Sequence, residues 1–142
     1  MPLTNILLVE DNEGDILLAR EAIDDLSMEV ELNVVKDGEK AIEYIYKKGD
    51  YADVDTPDLI LLDINLPKLN GFEVLKTLKY NSTFCVIPVI MLTTSSSEID
   101  IRNAYKNYAN CYIIKPNNAD ELVNTVQAIE NFWIGISQLP NV

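Results

Sequence analysis

Two rhythms of apolar residues alternate along this chain. Short apolar runs at residues 5–9, 30–35, 59–62, 89–92 and 111–114 read as buried strands. Each is followed by a helical pattern of apolar residues, in four of the five with the three- and four-residue spacing of one helix face. These are Ile16, Leu17, Ala19, Ile23 and Leu26; Ala41, Ile42 and Ile45; Phe72, Leu75 and Leu78; Ile99, Ile101 and Tyr105; and Leu122, Val126, Ile129 and Trp133. Parallel strands need crossover connections, and a sheet covered on both faces is apolar throughout. Five strand–helix repeats therefore predict an α/β fold, a doubly wound parallel sheet.

Polar residues mark the ends of these elements. Asp37-Gly38 follows the second strand, Ser95-x-x-Glu98 and Asn118-x-x-Glu121 have capping-box spacing, and Gly49 is placed to end the second helix. Residues 50–57 are polar and acidic and read as a solvated connection. On the last helix Ala128, Phe132 and Ile136 form a second apolar stripe, offset from the first. It reads either as packing against the C-terminal tail or as a contact with a second copy of the chain.

Composition narrows the function. The 142 residues, 48% hydrophobic, suit one domain. Lys+Arg 11 against Asp+Glu 23 gives a net charge of -12, which disfavours nucleic acid and anionic membranes as partners. No apolar run approaches a bilayer span and the N-terminus lacks the pattern of a signal peptide, so a cytoplasmic location is expected. Cys85 and Cys111 lack CxxC spacing and read as reduced, buried thiols. The chain has no histidine. It therefore carries no Ser-His-Asp or Cys-His pair and no HExxH zinc site, and any phosphohistidine must belong to another molecule.

In a doubly wound sheet, ligands bind beyond the carboxyl ends of the strands. There the sequence places Glu10, Asp11 and Asn12, then Asp63, then Thr93 and Thr94, then Lys115-Pro116. Singly, each has a duller reading as a cap, a loop charge or a turn. Together, three carboxylates at one edge repel one another by several kcal/mol unless a cation offsets them. Lys115 supplies one positive charge and a hard divalent cation such as Mg2+ the rest, bridging carboxylates to a phosphoryl oxygen. Asp63 can then take a phosphoryl group as an acyl phosphate, with Lys115 and Thr93 binding its oxygens.

ILLVEDN, LILLDINLP, VIMLTTS and CYIIKP, in that order, resemble the signature stretches of the receiver domain of two-component response regulators. The resemblance covers residues 3 to 133, and Thr93 and Lys115 lie 30 and 52 residues beyond Asp63, the offsets of the chemotaxis receiver. It implies a flavodoxin-like sheet of order 2-1-3-4-5, a receiver domain over 1–134, and a short tail 135–142 with no output domain. It implies a phosphoacceptor signalling protein rather than an ordinary enzyme. Asp63 would be the phosphoacceptor, and Mg2+ would sit on Glu10, Asp11, Asp63 and the Asn65 backbone carbonyl. Thr93 and Tyr112 would be the switch residues, although Tyr112 could equally cover the sheet edge. Lys115 would bind phosphate, with Lys115–Pro116 cis.

Implied partners are a sensor histidine kinase, a downstream phosphotransfer or effector protein, and a second copy in a homodimer. The loop around 51–57, DINLPKLNG, NCYIIKP and the FW before a Leu-Pro tail are similar to stand-alone receivers that partner phytochrome-type kinases. Three other readings fit less well. A haloacid-dehalogenase-like phosphohydrolase wants a second Asp two residues after its nucleophile, where Asn65 stands, and an acidic motif after its Lys. A flavin-binding module would find EDNEGD repelling the flavin phosphate. A degenerate receiver acting only as a scaffold would not need Asp63, Thr93 and Lys115 intact.

Overall fold

In the computed structural model, which describes residues 3–142, ten elements alternate along the chain. They are β1 (Thr4–Val9), α1 (Glu13–Asp24), β2 (Val30–Val35), α2 (Gly38–Ile45), β3 (Leu59–Leu62), α3 (Gly71–Lys79), β4 (Val89–Thr93), α4 (Glu98–Lys106), β5 (Cys111–Ile114) and α5 (Ala119–Glu130). The strands pair in parallel in the order β2-β1-β3-β4-β5, as the resemblance implied. Strand side chains alternate between the two faces, so each strand feeds two cores. Ile6, Leu8, Leu59, Leu61 and Ile90 join Ile16, Ala19 and Ile129 on the α1/α5 side. Leu7, Val9, Ile60, Leu62, Val89 and Met91 join Ala41, Val74, Leu75 and Leu78 on the α2/α3 side. Each large side chain fully buried this way contributes roughly 1.5–3 kcal/mol.

All five helices begin with a side-chain cap. Asn12, Asp37, Asn70 and Ser97 accept from the N–H groups of Asp15, Lys40, Glu73 and Asp100, and Asn118 accepts from Asp120 and Glu121. Each such cap contributes about 1 kcal/mol and fixes where the chain leaves the sheet's carboxyl edge.

Several sequence expectations are corrected. The α4 cap is Ser97, two residues beyond Ser95. In a run of three serines the hydroxyl that reaches the first turn wins, and Ser95 instead donates to Asp100 at 2.6 Å. Gly49 does not end α2. The helix stops at Ile45, and Lys47 takes the left-handed conformation (φ 56°) while the N–H groups of Lys47 and Lys48 bond back to the carbonyls of Tyr44 and Glu43. Gly49, also left-handed, opens a single 3-10 turn, Gly49–Tyr51, and the Tyr51 ring packs 5.2 Å from Tyr44, so the acidic loop is partly anchored.

The apolar positions read on α4 are not packed into the core, Ile101 being only half-buried. Ala104 is its buried residue, whereas Ile99 is 79% and Tyr105 49% exposed. On the last helix Leu122, Val126 and Ile129 are buried, and Trp133 packs against the core that holds Ile129. The second stripe is not covered by the tail: Phe132 and Ile136 are exposed. Beyond Glu130 the helix widens into a π-helical segment, Asn131–Ile136. Cys85 and Cys111 are free, as expected, but only half-buried.

Candidate functional site

Four strand ends meet at the carboxyl edge of the sheet. Register places Val9 beside Leu62 and Thr93 beside Ile114, so Glu10 and Asp63 emerge from adjacent central strands, and Lys115 follows directly on the strand next to β4. Two backbone bonds lock this edge: Asp63 N–H to Val9 O at 3.1 Å and Lys115 N–H to Thr93 O at 2.7 Å. Glu10, Asp63, Thr93 and Lys115 are buried, whereas Asp11 is exposed.

Carboxylate oxygens of Glu10, Asp11 and Asp63 all lie within 4.8 Å of one another. One Asp63 oxygen accepts the Ile64 N–H at 2.7 Å, and the other faces Lys115 Nζ at 3.3 Å. Glu10 accepts the N–H groups of Asp11 and Asn12 through one oxygen and Lys115 Nζ through the other. Lys115 Nζ also donates to Asp15 at 2.9 Å. The predicted ammonium and carboxylates are thus brought together, with Asp15 as an additional member.

The charges feel one another. Burial pushes the Glu10 carboxyl up to about 7; the Lys115 hydrogen bond opposes this and the Asp63 charge adds to it. Burial alone would lower the Lys115 ammonium, but hydrogen bonds to Glu10 and Asp15 and the charges of Glu10 and Asp63 outweigh it and raise it above the ordinary lysine value. A cation held by the three clustered carboxylates would relieve the strain on Glu10. A hard, all-oxygen set of this size, open toward Asp11, fits Mg2+ or a similar divalent ion.

The loop after β3 holds Asp63 from below. Gly71 N–H donates to Ile64 O at 2.7 Å, and a Cβ on Gly71 would lie 2.1 Å from the Asp63 carbonyl oxygen. Only glycine lets α3 start this close. Asn65 is exposed in this loop, and among the described residues its carbonyl accepts no backbone hydrogen bond, which leaves it free for a ligand.

Thr93 is fully buried and its hydroxyl lies 3.5 Å from the Ser95 N–H. Tyr112 is half-buried on β5. Its hydroxyl donates to the Ser95 carbonyl at 2.9 Å, and its N–H donates to the Tyr105 hydroxyl at 3.2 Å. Ser95 thus ties Thr93, Tyr112 and, through Asp100, the start of α4. Lys115–Pro116 is not cis: no cis peptide bond occurs among the described residues. The trans form is the lower in energy for X–Pro bonds. The ammonium already reaches its carboxylates from it, so nothing at this edge requires the other isomer.

Sequence reasoning missed Asp15. Three residues after Asn12, it reads as an ordinary acid in a first helical turn.

A family model described as the response regulator receiver domain matches residues 6–127. Response regulator Rcp1 of Synechocystis sp. is 42% identical over 135 residues, spanning 95% of this chain and 92% of its own length. Among solved structures, the phosphorylated cyanobacterial phytochrome response regulator RcpA is 44% identical and covers 99% of this chain and 100% of its own, with a TM-score of 0.96. The Mn2+-bound form of Rcp1 is 40% identical, covers 97% and 99%, and has a TM-score of 0.94.

Proposed function

The chain belongs to the response regulator receiver domain family, and from that premise we propose that it takes a phosphoryl group from a sensor histidine kinase onto Asp63. The observation that carries this reading is the pairing of Asp63 with the buried Lys115 inside the Glu10–Asp11–Asp63 cluster. A carboxylate oxygen of Asp63 attacks phosphorus, the bond to the partner's imidazole nitrogen breaks, and that nitrogen leaves with the electron pair and is reprotonated from solvent. Lys115 binds a phosphoryl oxygen, and the buried Thr93 hydroxyl donates to another. Glu10, Asp11, Asp63 and the Asn65 carbonyl would hold Mg2+, which when bound neutralises the phosphoryl oxygens.

The switch would run from Thr93 through Ser95 to Tyr112 and α4. As Thr93 turns toward the phosphoryl group, the loop that carries the Ser95 carbonyl shifts, and Tyr112 and α4 follow. Likeness to the cyanobacterial phytochrome response regulator RcpA supports a phytochrome-type kinase as partner. The exposed Phe132 and Ile136, with Ile99, Tyr105 and Ile114, support homodimerisation, and the output would be a protein contact or onward phosphotransfer. No helix among the described residues is long and apolar enough to cross a membrane, and a cytoplasmic site of action fits this.

The test is intact mass after incubation with a small-molecule phosphodonor, with and without Mg2+. One phosphoryl group gained only with Mg2+, and lost in Asp63→Asn, supports the reading. Equal incorporation in Asp63→Asn removes it, and a folded wild type that gains nothing from either a donor or a kinase favours a scaffold.

A further inference from the structure

Lys115 has three carboxylate neighbours, and they differ in standing. Glu10 and Asp63 belong to the clustered acids, whereas Asp15, in the first turn of α1, lies outside that cluster. Yet Asp15 Oδ2 is 2.9 Å from Lys115 Nζ, nearer than the 3.3 Å of Asp63. The Asn12 cap fixes this turn by accepting the Asp15 N–H at 2.9 Å. Side-chain exposure is 3% for Glu10, 9% for Asp63 and 26% for Asp15.

We infer that Asp15 is a positioning residue that holds the Lys115 ammonium on the α1 side and competes for it with a phosphoryl group on Asp63. The inference rests on the phosphoacceptor reading of Asp63. An ammonium has three N–H donors, and here three carboxylates use them. A phosphoryl oxygen arriving on Asp63 must take a donor from one of them. Glu10, at 3% exposure, has no solvent to replace a lost ammonium bond, and Asp63 carries the incoming group. Asp15, the most exposed, rehydrates at least cost and is the partner to be released. Its attraction thus sets how readily Lys115 changes partners, and through that the stability of the phosphorylated form.

The experiment is a titration with beryllium trifluoride in Mg2+, followed by amide NMR, on wild type, Asp15→Asn, Lys115→Met and the double variant. Unfolding midpoints check that each is folded. Asp15→Asn should bind the analogue about three- to fivefold more tightly than wild type, the scale of a partly exposed ion pair. It should give no gain in the Lys115→Met background. An equal gain in both backgrounds would mean that lost negative charge acts alone, and overturns the inference; no gain in either overturns it as well. A second readout needs no phosphoryl analogue: the ammonium 15N resonance of Lys115 in the metal-free protein should move in Asp15→Asn. An unmoved resonance sinks the contact itself. Failure of the wild type to bind the analogue defeats the phosphoacceptor reading and the competition with it, whereas wild-type binding unaltered by Asp15→Asn defeats the role of Asp15 alone.

Discussion

Glu10 and Glu130 are both lost to solvent, at 2% and 0% exposure, yet the sheet edge and the end of α5 treat them differently. Glu10 has two backbone N–H groups and the Lys115 ammonium around it. Among the described residues, neither oxygen of Glu130 has a hydrogen-bond partner. Burial pushes the first up to about 7 against those partners and the second up to about 8 with nothing opposing it. At the sheet edge the cost of burial is offset by charges that a metal or phosphoryl group could replace. At the end of α5 the acid keeps its proton at neutral pH and behaves as a neutral group. A buried carboxylate is chemically useful where its counter-charges can be exchanged, and only awkward where it has none.

Four measurements would break or sharpen this contrast. The largest effect belongs to Lys115→Met, which strands Glu10 and Asp63 without their cation. Denaturant midpoints should register a loss of about 3–5 kcal/mol, and Mg2+ should restore more stability to this variant than to wild type. A loss near zero would put Glu10 in the same position as Glu130. Next, Glu130→Leu removes a buried acid that has no partner and should stabilise the fold by about 1–3 kcal/mol. Destabilisation would reveal a partner for Glu130.

A smaller shift should come from Mg2+ itself. At roughly ten times its dissociation constant it stabilises wild type by about 1.4 kcal/mol. The gain should shrink in Asp11→Asn and survive in Glu130→Leu. The smallest is a pH effect. Both glutamates sit above the ordinary 4.5 when folded, so their contribution to stability is full below that value and is lost as pH rises through about 7 for Glu10 and about 8 for Glu130. Between pH 7 and 9 the Glu130 contribution amounts to about 1 kcal/mol. Thermal unfolding of Glu130→Gln across that range should lack it.

The strands were legible as short segments, unbroken apolar runs at 59–62 and 111–114 and an alternating one at 30–35, and these match the observed β3, β5 and β2 end to end. The placing of Glu10, Asp63 and Lys115 was legible for a related reason, since strand ends of a parallel sheet share one edge. Two features were not, and a third was legible but overlooked. Helical spacing marks an apolar face without saying whether anything covers it, and so Ile99 and Tyr105 were misread. Asp15 contacts Lys115 across 100 residues, a pairing that no local pattern encodes. Glu130 could have been found: four residues after Val126 and three before Trp133, it interrupts the apolar stripe of α5 with a charge.

The single buried residue of α4, Ala104, has a consequence for dynamics. The other four helices each commit four residues to the interior, so sliding or fraying them exposes large apolar area. Moving α4 uncovers Ala104 and part of Ile101 and disturbs a few polar bonds, at its cap and between Tyr105 and β5. In amide hydrogen exchange it should therefore open most readily of the five helices, through local fluctuation rather than global unfolding. The chain thus keeps its least committed helix a single loop away from Thr93, where a chemical event too small to disturb the sheet would meet the least resistance.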